Sequence, residues 1–437
     1  MSSAPPASTK PKRFAKSALR SSWANSWKSV SKWSIDRRTS RDWRDVSFRL
    51  VSRLVSRFGV EHWSLCEDAV SEAFVAALRT WPIHGLPLDQ EAWLTKVARN
   101  RALDKLRRQR EEPLSEEWAA APDPSPNLVD DEVALLFLCC DPDLPLDSQI
   151  ALTLKVACGF SVREIAAGLH QTPEAVERRL ARAKEKLRTK SLPRVHDLGE
   201  EDVARRVESV RQVVSLMFAE GHSQSSGEEL INLDTCLGAV SLARRLYATR
   251  PDPATAALIA TMLLQASRFP ARSAPGEGMG AILLRDQDRQ RWDRELIDQG
   301  IYWFRESLGG DELTVYHAEA SVGATLAASA EKGEIDWESV LVALHHRQSS
   351  APTVGGQMSI AAAQWAAGLV REARESLESI PEEIAGRYEP MNSALWAEIF
   401  AAEGDRDAAV AALDQAIECS ANAAERAALM RRRLELG

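Results

Sequence analysis

The chain has 437 residues, 45% hydrophobic and 27% charged, enough for about three globular units with sizeable cores. Its net charge of −8 hides a split: residues 1–190 carry 31 Lys+Arg against 25 Asp+Glu (+6), and residues 191–437 carry 24 against 38 (−14), which confines a polyanion hypothesis to the front half. Apolar runs of about eight residues, far below the roughly 20 that span a bilayer, exclude a membrane span, and no signal-peptide pattern opens the chain.

Residues 1–40 hold nine Lys/Arg, one acid, eleven serines and three tryptophans. They read as a mobile basic tail, with attraction to DNA phosphates or a transit peptide as the other readings. From Asp42 to Arg110 the apolar period is helical three times. The first helix is expected from Trp43 to Phe58, with Leu50, Leu54 and Phe58 on one stripe. The second, Leu65–Trp81, sets Ala69, Ala73, Ala76 and Ala77 beside Val70, Phe74 and Leu78, before Pro82, Gly85 and Pro87 enforce a loop. The third, Gln90–Arg110, begins apolar at Trp93, Leu94 and Val97 and ends strongly basic. His62 and Cys66 are four apart, but no CxxC follows to complete a zinc site, so no metal and no cofactor is expected. Six cysteines without framework spacing point to a reducing cytoplasm.

Glu111–Ile150 has eleven acids and no base, and its prolines up to about Asn127 mark a linker. Helical patterning resumes and runs to a break at Gly159. Ser161 and Glu164 then form a capping box ahead of Val162, Ile165, Ala166 and Leu169. After a turn at His170-Gln171, Thr172 caps a second helix with Pro173 at its first position. Val176, Leu180, Ala183 and Leu187 form its inner face. Arg179, Arg182, Lys186 and Lys190 form a basic stripe, flanked by Arg178 and Lys184. A short helix, a tight turn and a longer basic helix make a helix-turn-helix that fits a major groove; a merely solvated face is the other reading.

Beyond Lys190 the chain stays alanine-rich and helical. Gly333, Gly368 and Gly404 recur at spacings of 35 and 36, each between apolar helical stretches. Ala373, Leu377 and Ile380, then Ala409, Leu413 and Ala416, match the second-helix pattern of tetratricopeptide units, and Ala397 with Phe400 suits a first helix; plain antiparallel packing is the alternative. Gly276–Gly280 lacks the spacing of a nucleotide loop and Gly221-His222-Ser223 that of a nucleophile elbow. No catalytic constellation emerges, so no enzyme is expected.

These blocks together resemble extracytoplasmic-function sigma factors. Glu67–Arg79 resembles their region 2.2, Ala92–Asp104 regions 2.3–2.4, and Ser161–Arg188 region 4.2. Leu283–Asp293 and Phe218–His222 resemble stretches of the subgroup with a long tetratricopeptide-like C-terminal extension; Gly355–Ala363 departs from its Asn-Arg-containing helix. The resemblance implies an all-α protein: two small helical sigma modules, region 2 and a helix-turn-helix region 4, followed by a larger tetratricopeptide-like domain. The expected division is 1–40 tail, 41–112 region 2, 113–128 linker, 129–192 region 4 and 193–437 extension. It also implies a cytoplasmic factor that lends core RNA polymerase recognition of −10 and −35 promoter DNA. The helix carrying Asp68, Glu72 and Arg79 would meet the polymerase. Lys96, Arg99, Asn100, Arg101 and Lys105 would meet the −10 element, after a base is captured by the Trp81–Gln90 loop. Thr172, Glu174, Ala175, Arg178, Arg179, Arg182, Lys184 and Lys186 would serve the −35 element. Asp286, Asp288, Arg289, Trp292 and Asp293 would organise a regulatory extension that docks on the front half or on a protein partner. The rival is a free-standing helix-turn-helix regulator with a helical sensor domain.

Overall fold

The computed structural model describes residues 35–109, 128–169, 171–193, 197–224, 230–272, 282 and 284–436. The expected basic tail to residue 34, most of the acidic linker and the Gly276–Gly280 turn lie outside the described residues. Within them the chain folds as α-helices and short 3-10 turns, with no β-strand. From Arg41 onward it is one compact unit.

Three helices open the fold: α1 (Ile35–Phe58), α2 (Trp63–His84) and α3 (Gln90–Gln109). Helix α1 starts two turns before the expected Trp43, since no glycine or proline interrupts residues 35–42. Helix α2 runs through Pro82, which removes one ladder bond without stopping the helix. Gly85 ends it at φ 83°, its N–H bonded to the Trp81 carbonyl at 2.9 Å. Only glycine adopts that left-handed turn without strain. Asp89 then caps α3, its Oδ1 accepting from the Ala92 amide at 2.9 Å.

The second module comprises α4 (Leu128–Cys139), α5 (Leu146–Val156), α6 (Val162–Gly168) and α7 (Pro173–Leu187). Beyond its acidic first turn helix α4 is apolar on every side: each residue from Val133 to Leu138 is at most 1% exposed. Such a helix must be enclosed all round. It packs on α5, on α8 (Glu200–His222) and on α9 (Leu233–Thr249). The second module and the extension therefore share one core across the expected boundary at residue 192.

Helix α10 (Pro253–Ala266) is the axis of the extension, packed by α8, α9, α12 (Arg294–Ser307) and α13 (Val315–Lys332), with short α11 (Phe269–Arg272) at its end. Gly300 on α12 makes the closest crossing. A Cβ there would stand 2.6 Å from Leu264 Cγ, so any side chain would force the helices apart. Next come α14 (Trp337–Ser350), α15 (Val354–Ala366), α16 (Val370–Glu378), short α17 (Glu382–Ala385), α18 (Met391–Glu403), α19 (Arg406–Cys419) and α20 (Ala423–Leu436). The recurring glycines Gly333, Gly368 and Gly404 each close a helix at positive φ, joining α13 to α14, α15 to α16 and α18 to α19. Ala373, Leu377, Ile380, Ala397, Ala409, Leu413 and Ala416 are all buried, and Phe400 stacks on Trp396 at 5.5 Å.

One buried ion cluster ties extension to second module. Asp141 is 1% exposed, and its two oxygens take Lys190 at 2.6 Å and Arg206 of α8 at 3.2 Å. Arg206 also donates to the Phe137 carbonyl at 3.3 Å. Arg206→Ala leaves a buried carboxylate held by Lys190 and the Asp143 amide on one oxygen alone and should cost about 3 kcal/mol. The check is a lower thermal midpoint of the full chain; an unchanged midpoint would show that water replaces the guanidinium.

Candidate nucleic-acid interface

The first basic surface is built on the α2–α3 hairpin. Ala69, Ala73 and Ala77 of α2 and Ala98 and Ala102 of α3 are fully buried, and their small side chains let the two backbones approach closely. An aromatic chain braces the open end: Trp43 meets Phe74 at 5.2 Å and Trp81 at 5.5 Å, and Trp81 meets Trp93 at 5.5 Å. Trp93 thus serves packing.

The five candidate residues on α3 fall on two faces. Lys96, Arg99 and Asn100 line a groove of about 760 Å³ together with Arg53, Thr95, Leu103, Asp104 and Arg107. Arg53 and Arg107 were not singled out from sequence; Arg53 comes from α1 and donates to Thr95 Oγ1 at 3.0 Å, a contact across 42 residues. Arg101 and Lys105 turn instead toward α2. Lys105 reaches Glu72 at 2.9 Å and Asp68 at 3.5 Å, and Arg101 reaches Glu72 at 3.8 Å. The two carboxylates raise the Lys105 pKa against the opposing effect of desolvation, so the ammonium stays charged. The carboxylates expected to face polymerase thus pair with cations expected to face DNA.

Arg79 is exposed. On the same helix and in the loop that follows it, large apolar side chains stand in water: Val75, Leu78, Ile83, Leu86 and Leu88. Leu78, which the helical spacing sets beside Val70 and Phe74, is 72% exposed. The α2 stripe toward α3 is made of alanines, and Leu78 lies off it.

The second surface follows the sequence closely. The Ser161 amide donates to Glu164 Oε2 at 2.6 Å and the Glu164 amide to Ser161 Oγ at 3.2 Å, completing the capping box. Thr172 Oγ1 accepts from the Ala175 amide at 3.2 Å, and Pro173 occupies the first turn of α7. Thr172 is therefore committed to its own helix. Val176, Leu180, Ala183 and Leu187 are buried as the period requires. Outward stand Glu174, Arg178 and Arg182, while Ala175 is part-buried. The remaining cations are engaged. Arg179 pairs with Asp147 at 3.5 Å, Lys186 donates to the Asp143 carbonyl, and Lys184 pairs with Glu67 of α2 while lying 5.6 Å from the Trp63 ring.

Lys184 is thus one contact in a clasp between the modules. Arg44 of α1 pairs with Glu164 at 3.2 Å and with Asp234 of the extension at 3.7 Å. Arg245 of the extension pairs with Asp45 at 3.3 Å and with buried Glu132 at 2.9 Å. Burial raises the Glu132 pKa even beside Arg245 and Arg49. Arg206 and Arg245 run cation-to-acid from the acidic half to the basic half, opposite to the net charges.

In the extension, Asp288 Oδ1 caps the Gln290 amide at 3.0 Å and Asp293 Oδ1 caps the Leu296 amide of α12 at 3.1 Å. Arg289 donates to the Gly333 carbonyl, Trp292 is buried and Asp286 is exposed. These side chains set the path of the strap before α12. Among the described residues, no cluster of His, Cys, Asp and Glu could hold a metal ion, and no helix is long and apolar enough to cross a membrane.

Three family descriptions match the sequence. Sigma-70 region 2 matches residues 47–112, Sigma-70 region 4 matches residues 137–187, and a family of unknown function (DUF6596) matches residues 206–308. The "Uncharacterized protein R00370" of Rhizobium meliloti is 32% identical over 424 residues, which cover 91% of this chain and 96% of that protein. The "Probable RNA polymerase sigma factor RfaY" of Xanthomonas campestris pv. campestris is 34% identical over 139 residues, 29% of this chain and 34% of that one. No solved structure matches.

Proposed function

The chain belongs to the sigma-70 family, and from that premise we propose that it is a cytoplasmic promoter-specificity factor of the extracytoplasmic-function type with a tetratricopeptide-like regulatory extension. It binds core RNA polymerase and directs it to −10 and −35 elements. The observation that carries this reading is the pairing, in one chain and in this order, of a basic groove on α3 with a capped helix-turn-helix on α7.

The apolar group Val75, Leu78, Ile83, Leu86 and Leu88 divides between two tasks. Val75 and Leu78, beside Asp68, Glu72 and Arg79 on α2, form a polymerase-docking face, since exposed apolar side chains rimmed by charge mark protein contacts. Ile83, Leu86 and Leu88, at the loop leading into α3, offer an apolar seat for an unstacked −10 base. Lys96, Arg99 and Asn100 with Arg53 and Arg107 then follow the strand, and Arg101 and Lys105 join once polymerase draws Asp68 and Glu72 away. On α7, Arg178 and Arg182 read the −35 duplex with Glu174 and Ala175 beside them. Arg179, Lys184 and Lys186 add phosphate contacts after leaving their present partners.

The clasp gives the extension its role. With Lys184 on Glu67 and Arg44 on Glu164 and Asp234, the two DNA-reading modules are held together, and reading two separated elements requires them to part. The strap residues Asp286, Asp288, Arg289, Trp292 and Asp293 hold the extension in the form that maintains the clasp.

Run-off transcription with purified core polymerase tests the reading. Promoter-specific transcripts that depend on added chain are the expected result. Silence, together with a footprint of the chain alone on duplex DNA, would replace it by a free-standing regulator, which has no use for the α2–α3 hairpin.

A further inference from the structure

Two arginines at the α10–α11 corner carry charge without an opposite partner among the described residues. Arg268 follows the end of α10 and Arg272 ends α11, and both are part-buried. Among the described residues no carboxylate makes an ion pair with either. Arg272 Nη1 donates to the His222 carbonyl at 2.6 Å, at the end of α8. The His222 ring lies 5.8 Å from Phe218 and 5.7 Å from Phe269, and its Nε2 is enclosed with no hydrogen-bond partner. Desolvation lowers the pKa of both arginines to about 10, and each guanidinium, with burial, opposes charge on His222, whose pKa falls to about 2. The imidazole is therefore neutral and keeps one ring N–H to donate.

Enclosed charges are ordinarily paired, because removing an ion from water costs several kcal/mol. Two like charges that also repel each other compound that cost. A single small anion would neutralise the guanidiniums and accept from both forks, whose planar donors match the oxygens of phosphate and carboxylate. Nor does the corner float free of the fold. The Ser267 carbonyl accepts from the Asp293 amide at 2.8 Å, the cap residue of α12, and the Arg272 carbonyl accepts from the Ile282 amide at 2.9 Å.

We infer that Arg268 and Arg272, with His222 beside them, form a binding site in the extension for a small oxyanion bearing a phosphate or carboxylate group. Occupancy would tie the end of α8 to the α10–α11 corner and, through Asp293, to the start of α12. The inference is independent of the promoter-binding reading, because its readout needs neither DNA nor polymerase.

The test is thermal unfolding of the full chain in a chloride buffer at constant ionic strength, titrated with inorganic phosphate or, in a second arm, with succinate. A saturable rise of the midpoint in one arm is expected, since a ligand that binds only the folded state stabilises it by mass action; the arm that responds identifies the preferred group. Calorimetric affinity for that anion should fall roughly 10- to 100-fold in Arg268→Met and in Arg272→Met, the worth of one charge-assisted contact. Without anion, Arg268→Met should melt no lower than the native chain, because a repulsion between two cations has been removed. No saturable shift with either anion overturns the inference, whether or not the variants fold. An Arg268→Met midpoint lowered in anion-free buffer also overturns it, assigning the neutralisation to an acid of the chain itself.

Discussion

Replacing Arg178 and Arg182 by alanine should reduce initiation at a −35-dependent promoter roughly 100-fold, while binding to core polymerase is retained. Both lie on the outer face of α7, four residues apart, and Arg182 Nε rests on the Arg178 carbonyl at 3.3 Å. Among the described residues neither makes an ion pair. Each is thus available to DNA without breaking a described ion pair, and a lost base-edge or phosphate contact of this kind costs about 1–3 kcal/mol. Two losses near the lower part of that range multiply to about two orders of magnitude. Alanine keeps the helix, and the buried face of Val176, Leu180, Ala183 and Leu187 is untouched. Run-off transcription on promoters with and without a −35 element measures the effect. Unchanged use of the −35 promoter would remove α7 from recognition.

Deleting residues 197–437 should have a larger consequence: the remaining fragment should aggregate. Helix α4 is covered by α8 and α9 of the extension as well as by α5. Leu135, Leu136, Phe137 and Leu138 are fully buried, and each is worth about 1.5–3 kcal/mol of burial. Uncovering even part of that surface rivals the roughly 5–15 kcal/mol that holds a whole domain together. The deletion also strips Arg206 from buried Asp141 and Arg245 from buried Glu132. Size-exclusion chromatography and dye binding of fragment 41–196 provide the check; a monodisperse, cooperatively melting fragment would refute the shared core. Regulation by the extension is therefore better probed by Glu67→Gln, which loosens the Lys184 contact at the surface and leaves α4 covered. That variant should raise promoter-specific transcription if the clasp restrains the modules.

Several features were legible in the sequence because they act within one helical turn. The Ser161–Glu164 box, the Thr172 cap and the inner face of α7 all reside in spacings of three and four residues, where geometry follows from the helix itself. Gly333, Gly368 and Gly404 were legible for a similar reason, since a positive φ at a helix end selects glycine locally.

Other features were set only by packing. The helical period that sets Leu78 beside Val70 and Phe74 does not record that α3 approaches along an alanine ridge and leaves Leu78 in water. A run of cations from Lys96 to Lys105 reads as one surface, yet the helix divides it between the groove and the carboxylates of α2. Lys184 reads as a phosphate contact until the fold brings Glu67, 117 residues away, against it.

Charge draws the same line between the two levels. Composition and short apolar periods determined a basic front, an acidic back and an all-helical chain, because these are sums and local spacings. Tertiary structure decided that Arg206 and Arg245 of the acidic half grip acids of the basic half, that α4 belongs to two domains at once, and that Arg268 and Arg272 stand together without a carboxylate among the described residues. Coulombic energy depends on distance and burial, which net charge averages away and only the packed chain specifies.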